Sequence, residues 1–346
     1  MRAFGLPSGA SVGALLMLRT LAFVLVLVAL MSAMAVVRHT RQNEETRRAE
    51  LIGSTAVGRH AALAAGVLTA AIANLALVAA VATGLTLAGL GGVGALAAGV
   101  ALGAVGLAFA GVAAVMAQIS ENSRGATGMV TAAIGVAFLL SSVGNVLGSA
   151  RADGITVDSA WAAWLSPIGW AQQMRPYGDD HWWVLLLFAG FFAATVGLAF
   201  ALERRRDVGR GLLPERRGPA QASAMLSSPL GLAWRLHRGT LTAWAVGVSV
   251  FGAVFGAVSN AFEQIVSEVD EAAEFFARVG GAEQLTEGFY ATIIGLMATV
   301  IAAYTIGAVL KMRAEEADGL LEPVLATAVG RQAWMASHVA VVAGGT

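Results

Sequence analysis

Residues 61–117 read AALAAGVLTAAIANLALVAAVATGLTLAGLGGVGALAAGVALGAVGLAFAGVAAVMA and contain no Asp, Glu, Lys or Arg. The run is too long for one buried helix. It suits two membrane spans of about 20 residues each, joined by a short Gly-rich turn. In lipid every backbone polar group must be paired within its own segment, so these runs are helical. The alternation expected of a membrane barrel is missing.

The rest of the chain extends this reading. Of 346 residues 57% are hydrophobic and only 13% charged, and mean hydropathy is +0.73. Soluble domains carry roughly twice that charged fraction. Span-length apolar segments fall near 12–37, 60–82, 92–117, 126–149, 182–202, 239–262 and 289–310, with an eighth starting at about 333. The expected fold is all-α, a polytopic transmembrane bundle of about seven full spans plus a partial eighth. The N-terminal apolar run has no small-residue cleavage site before a polar mature chain, so it reads as a span and not a signal peptide.

The polar segments sort by charge. Segments 38–59, 118–125, 203–238 and 311–332 hold 17 basic and 11 acidic residues, whereas 151–181 and 263–288 hold 3 and 11. The two sets alternate along the chain, and the positive-inside rule then makes the first four cytoplasmic. Arg204, Arg205, Arg206, Arg210, Arg216 and Arg217 belong to that set, and the acidic run from Glu263 to Glu274 faces outside. Trp161, Trp164, Trp170, Tyr177, Trp182, Trp183 and Tyr290 cluster near the outer boundary, where aromatic rings sit at headgroup level. This topology starts outside and ends inside an incomplete span, so both ends read as cuts through a longer protein.

An internal repeat adds symmetry. RQNEETRRAELIGSTAVGR (41–59) aligns with RAEEADGLLEPVLATAVGR (313–331), an offset of 272 residues. Eight of 19 positions are identical: Arg41/Arg313, Glu44/Glu316, Glu50/Glu322 and the run Thr55–Arg59 against Thr327–Arg331. Chance would supply roughly one or two. Each copy follows an inward-running span, so the halves are parallel repeats of six spans, both incomplete here. The halves map as 1–202, a linker of 203–238, and 239–346. Acidic residues early in the loop and Arg59 at its end would complement a helix dipole, an effect under about 1 kcal/mol. Docking to a two-fold-related partner accounts better for the five-residue identity.

Several chemistries are excluded or unsupported. The absence of cysteine removes disulfides, thiolate catalysis and Cys-ligated metals. His39, His60, His181, His237 and His338 have no i,i+3 or i,i+4 pairing, so no metal site is expected. The spans hold almost no ionisable groups: Arg19 is the one charge, with Asn74 and Asn145 the clearest polar residues. Carriers coupled to protons or sodium place Asp, Glu or His at mid-membrane, which argues against that class. A phosphate-cradling GxxxxGK[ST] loop needs a lysine preceded by glycine, and the single lysine, Lys311, follows Ala-Val-Leu. The chain is therefore not expected to be an enzyme or to bind a cofactor, and any energy must enter from another subunit. Gly9–Gly13 matches GxSxG without the strand or the triad partners that would give it meaning. Gly99/Gly103 and Gly252/Gly256 form GxxxG pairs suited to helix packing, and no basic-aromatic pattern points to nucleic acid.

The chain resembles the permeases of ATP-binding-cassette exporters in the type-2 permease superfamily, especially fused two-half polyketide-antibiotic exporters of actinobacteria. The resemblance rests on E-x8-R ending in TAVGR after the second span of each half, on WLSPIGWAQQMRPY (164–177), and on the Arg-rich linker into SPLGLAWRLHRGTLTAW (228–244). It implies coupling loops that insert into a separate cassette ATPase, a homodimer holding ATP and Mg. The residues concerned would be Glu44, Glu50, Thr55, Gly58 and Arg59, with Glu316, Glu322, Thr327, Gly330 and Arg331. It also implies outer helices capping the path at Trp164, Pro167 and Trp170, and an amphipathic connecting helix at 228–238 anchored by Trp234. The expected function is export of lipophilic small molecules, drugs or antibiotics across the plasma membrane. A secondary carrier with parallel halves and a membrane assembly protein are the alternatives.

Overall fold

The structure, a computed structural model, describes residues 5–6, 9, 11–46, 51, 56–151, 156–207, 209–213, 220–268, 282–317 and 319–345. It is almost entirely helical, the exception being a two-residue antiparallel bridge, Ser149–Ala150 against Val157–Asp158. Six helices among the described residues are long and apolar enough to cross a membrane: Val12–Glu45, Ala61–Leu87, Gly92–Ile119, Ser123–Val146, Val184–Glu203 and Met297–Ala317. The chain is a multi-pass membrane protein. It divides into two compact units, Met1–Arg216 and Arg217–Thr346.

Unit 1 is built of α1 (Val12–Val37), α2 (Ala61–Leu87), α3 (Gly92–Ile119), α4 (Ser123–Val146), the short α5 (Pro167–Gln173) and α6 (Val184–Glu203). Helix starts follow capping chemistry. The Ser11 and Asn122 side chains accept from the Ala14 and Gly125 amides at 3.1 and 2.6 Å. Ser166 accepts from Gly169 at 3.3 Å, with Pro167 in the first helical position, where its missing N–H costs nothing. α1 runs on through a π turn, Arg38–Gln42, into Asn43–Glu45.

The charge-free run becomes α2 and α3, and the two helices have opposite fates. α3 is the centre, 72% buried over its span window, with α1, α2, α4, α5 and α6 against it; α2 and α6 are each 17% buried. Composition explains this. Without a hydrophobic drive between helices in lipid, close approach needs small residues, and α3 is largely Gly and Ala. A Cβ at Gly99 would stand 2.8 Å from the Val78 carbonyl oxygen, and one at Gly103 would run into the Val78 side chain. The Gly99/Gly103 pair thus seats α3 on α2 within the chain, as its spacing suggested.

All spans of unit 1 alternate between two ends. The Arg-rich end gathers the loop after α1, the α3–α4 turn and the segment after α6, joined by hydrogen bonds such as Leu212 N–H to the Gln118 carbonyl at 3.2 Å. The Trp-rich end gathers the start of α1, α5 and the start of α6, where the Ser11 hydroxyl donates to the Tyr177 carbonyl at 3.4 Å.

Unit 2 contains α7 (Pro229–Glu268), α8 (Ala282–Ala317), α9 (Glu322–Leu325) and α10 (Arg331–Ala343). Ser228 caps α7 by accepting from Gly231 at 3.1 Å. The 228–238 stretch runs without a break into 239–262 as one 40-residue helix. No proline interrupts the residues around Gly239, so the i→i+4 ladder continues through them. Side chains of α7 from residue 253 on lie outside the described set. α10 has 13 residues, about 20 Å, short of the roughly 30 Å hydrocarbon core. A small core of Tyr304, Ala308 and Val342 with Leu241 and Trp244 ties α7, α8 and α10 together.

Candidate functional site: the repeated loop and the Trp-rich cap

In the first copy of the repeat, one carboxylate organises the Arg-rich end of unit 1. Glu44 accepts from Arg41 Nη1 at 2.9 Å, from Arg206 Nη1 and Nη2 at 3.0 and 2.7 Å, and from the Gly209 amide at 3.2 Å. Arg41 is fully buried and also donates to the carbonyls of Ala117, Gln118 and Arg210. Arg206 donates from Nε to Gln118 Oε1 at 2.6 Å. Two guanidinium groups at the edge of an apolar bundle are tolerable only when their donors are satisfied and a counter-charge is present. Glu44, the last turn of α3 and the segment after α6 supply both.

Arg59, at the end of the loop, donates to the carbonyls of Glu203, Arg204 and Arg206 at 3.0, 3.4 and 2.8 Å. These are carbonyls at the C-terminus of α6, where a cation is favoured by the helix dipole. His60 Nδ1 lies 2.5 Å from Glu203 Oε2, with its ring edge-on to Phe200. Arg59 thus complements a dipole, but that of a helix 144 residues away in sequence. Gly58 is exposed, with open space where a Cβ would stand. Glu50 and Thr55 lie outside the described residues.

The second copy repeats the core pair. Arg313 Nη1 meets Glu316 Oε2 at 2.9 Å, with the same i,i+3 spacing and the same length as Arg41–Glu44. Arg331, the counterpart of Arg59, turns back onto Glu316. Glu322 opens α9 and is exposed, Thr327 donates to the Val324 carbonyl at 2.7 Å, and Gly330 precedes α10 as its N-cap residue. Glu322, Thr327, Gly330 and Arg331 form an exposed segment.

The Trp-rich cap is packed by aromatic contacts and buried hydrogen bonds. Trp170 Nε1 donates to the Trp164 carbonyl at 2.6 Å, Trp164 stacks on Trp183, and Trp170 meets Phe188 and Phe191 of α6 edge-on. Pro167 is buried at the start of α5. Sequence reading did not single out the polar bonds beneath. Gln172 Oε1 accepts from Ser141 at 3.0 Å and from Asn145 at 2.6 Å, and the Ser159 hydroxyl donates to Asn145 Oδ1 at 2.7 Å. The buried Arg175 donates to the Val157 carbonyl and to Asp158 at 2.8 and 2.7 Å. Hydrogen bonding from Arg151 holds the Asp158 carboxyl below its usual range, and burial pushes that of Asp180 up. The signal was available, since Gln172, Arg175 and Tyr177 all sit in the quoted 164–177 motif.

A second feature missed at the sequence level is the pair His237–His338. One hundred and one residues apart, both are buried, and His237 Nε2 lies 3.0 Å from His338 Nδ1. No group of three or more His, Asp or Glu among the described residues could hold a metal ion.

Residues 226–346 match the family described as multidrug efflux system permease Rv1217c, C-terminal domain. Over 320 residues, 92% of its length, the chain is 39% identical to the multidrug efflux system permease protein Rv1217c of Mycobacterium tuberculosis. It spans 56% of the length of that relative. The match runs through both units, takes in the whole second copy of the repeat, and falls on a bundle of membrane-length helices. Over nearly its whole length the chain is similar to a multidrug efflux system permease.

Proposed function

We propose that the chain is the membrane-spanning permease of an exporter of lipophilic small molecules, drugs or antibiotics, driven by a separate cassette ATPase that carries the ATP and Mg. The observation that carries this reading is the repeated ion pair, Arg41–Glu44 and Arg313–Glu316, both 2.9 Å and 272 residues apart. Two loops with one internal geometry suit a dimeric partner with two equivalent docking surfaces. The name of the relative, a multidrug efflux permease, supports the substrate class. In this reading 1–202 and 239–346 belong to two parallel halves joined by 203–238, and the Arg-rich end faces the cytoplasm of a cell whose plasma membrane holds the protein.

Within the loops, the residues divide by where they bond. Glu44 and Arg59 are committed to bonds inside unit 1, so they position the loop. The exposed Glu322, Thr327, Gly330 and Arg331, with Gly58, are free to meet the ATPase. The test is a charge reversal at Glu322→Lys combined with Thr327→Tyr in cells making the permease and its ATPase. We expect normal membrane insertion, loss of drug-stimulated ATP hydrolysis and at least a tenfold fall in efflux, roughly the effect of removing a buried interface contact. Unchanged efflux in the double variant would overturn the docking role, and efflux that survives deletion of every cassette ATPase would favour a secondary carrier.

A further inference from the structure

Arg19 is the one charged side chain set inside a span of unit 1 among the described residues; Arg124 and Glu203 stand at the ends of α4 and α6, and the remaining charges of the α1 extension at its end. It lies two turns into α1, about 10 Å from the first helical residue. It makes no hydrogen bond or ion pair with any described residue.

Its position on the helix is specific. α1 buries Ala22, Leu25, Ala29, Ser32, Ala33 and Val36 against the bundle. Arg19 stands on the opposite, exposed stripe at three- and four-residue spacing with Phe23, Leu27, Met31 and Met34, which are 41–64% exposed. An arginine on a helix face bathed in hydrocarbon is costly, and one near a span end either reaches its guanidinium toward the interface or takes an anionic partner. Val12, Leu15 and Leu16 lie between Arg19 and the helix start on the same face.

We propose that this stripe is a binding wall for a lipophilic acid, with Arg19 pairing its anionic group and Phe23, Leu27, Met31 and Met34 covering its apolar body. Charge complementarity selects the occupant: a cation without a partner among the described residues, on an apolar surface, is satisfied by an amphiphile bearing a carboxylate, sulfonate or phosphate. Methionine is unbranched and adaptable, which lets one wall accept several apolar skeletons. The transport role of the wall rests on the exporter reading above, but binding itself does not.

The experiment uses the whole chain in phosphatidylcholine nanodiscs and two fluorescent probes, pyrenebutyric acid and its methyl ester. The chain should hold the acid roughly tenfold more tightly than the ester, the fold-change of one charge-assisted bond. Arg19→Gln should abolish that preference without changing ester binding, Arg19→Lys should keep part of it, and Arg124→Gln should leave it unchanged. Equal binding of acid and ester by the parent chain, or an undiminished preference in Arg19→Gln, overturns the proposal. So does a result in which, in a second set of discs containing phosphatidylglycerol, Arg19→Gln alters only the retention of that lipid, since Arg19 would then serve a lipid headgroup. If acid binding follows this pattern while cells expressing the transporter export neither probe, the site stands and the exporter reading fails.

Discussion

The two copies of the repeated loop share an ion pair and differ in what surrounds it. In the first, the Arg41 side chain is fully buried and Glu44 is 11% exposed; in the second, Arg313 and Glu316 are 73% and 34% exposed. The pair itself is local, a consequence of i,i+3 spacing on a helix. Its third arm is not local. Glu44 takes Arg206 from the segment after α6, whereas Glu316 takes Arg331 from the end of its own repeat. The same motif is therefore a structural clasp in one copy and an exposed charged surface in the other.

The largest effect that would break this comparison is at Glu44. Glu44→Gln leaves two nearly buried guanidinium groups without the carboxylate bonded to them, and breaking such a group costs about 3–5 kcal/mol. The matching change Glu316→Gln removes an exposed pair worth under about 1 kcal/mol. Tryptophan-monitored thermal unfolding in detergent should show a large drop for the first and almost none for the second. Equal drops would mean that the burial difference carries no energy. The variants Glu44→Gln and Arg206→Gln should also be strongly non-additive, because they share one network.

Next in size are the clasps that hold the two ends of unit 1. Gln172→Leu strands the buried Ser141 and Asn145 donors, at a cost of about 1–3 kcal/mol. Arg59→Gln strips three bonds from the end of α6 and should cost about 1 kcal/mol. Its counterpart Arg331→Gln, exposed and bonded to Glu316, should shift the unfolding midpoint by less. A reversed order of Arg59 and Arg331 would show that the second copy, and not the first, is the structural one.

How far the sequence carried these distinctions follows from the range of each interaction. The all-helical membrane fold, the five spans of unit 1 and the alternation of their ends were readable because lipid forces internal pairing of the backbone and charge follows the loops, whereas of the two full spans expected in unit 2 one, Met297–Ala317, is long and apolar enough among the described residues. The repeat was readable as identity, but the Arg41–Glu44 and Arg313–Glu316 pairs within it came only with the structure. Burial was not. Arg41 and Arg313 are identical in type and spacing, and only the packing of α3 and of the segment after α6 separates them. The centrality of α3 over α2 had a partial signal in its glycine content, though both helices lie in one charge-free run. His237 and His338 lacked any signal, because residues 101 apart reveal nothing by spacing.

The smallest expected effect calibrates the exposed end of the comparison. Arg151 bonds Asp158 at 3.0 Å, with both side chains 39–51% exposed, and this bond lowers the Asp158 pKa below its ordinary value of 3.8. A lowered carboxyl pKa contributes stability that is fully present above the unfolded value, about 3.9, and is lost as pH falls through the folded one. Between pH 7 and 5 the pair should therefore give no pH dependence at all. Below about pH 4 the parent chain should lose slightly more stability than Arg151→Gln, whose Asp158 keeps only its bond to the buried Arg175. Because both partners are exposed and screened, the difference should shrink when ionic strength rises from 0.01 to 1 M, where the Debye length falls from about 30 to 3 Å. The Glu44 clasp, shielded by its burial, should keep its effect over the same salt range. If instead salt weakened both equally, the contrast between the buried and exposed pairs would rest on geometry alone and not on solvent access.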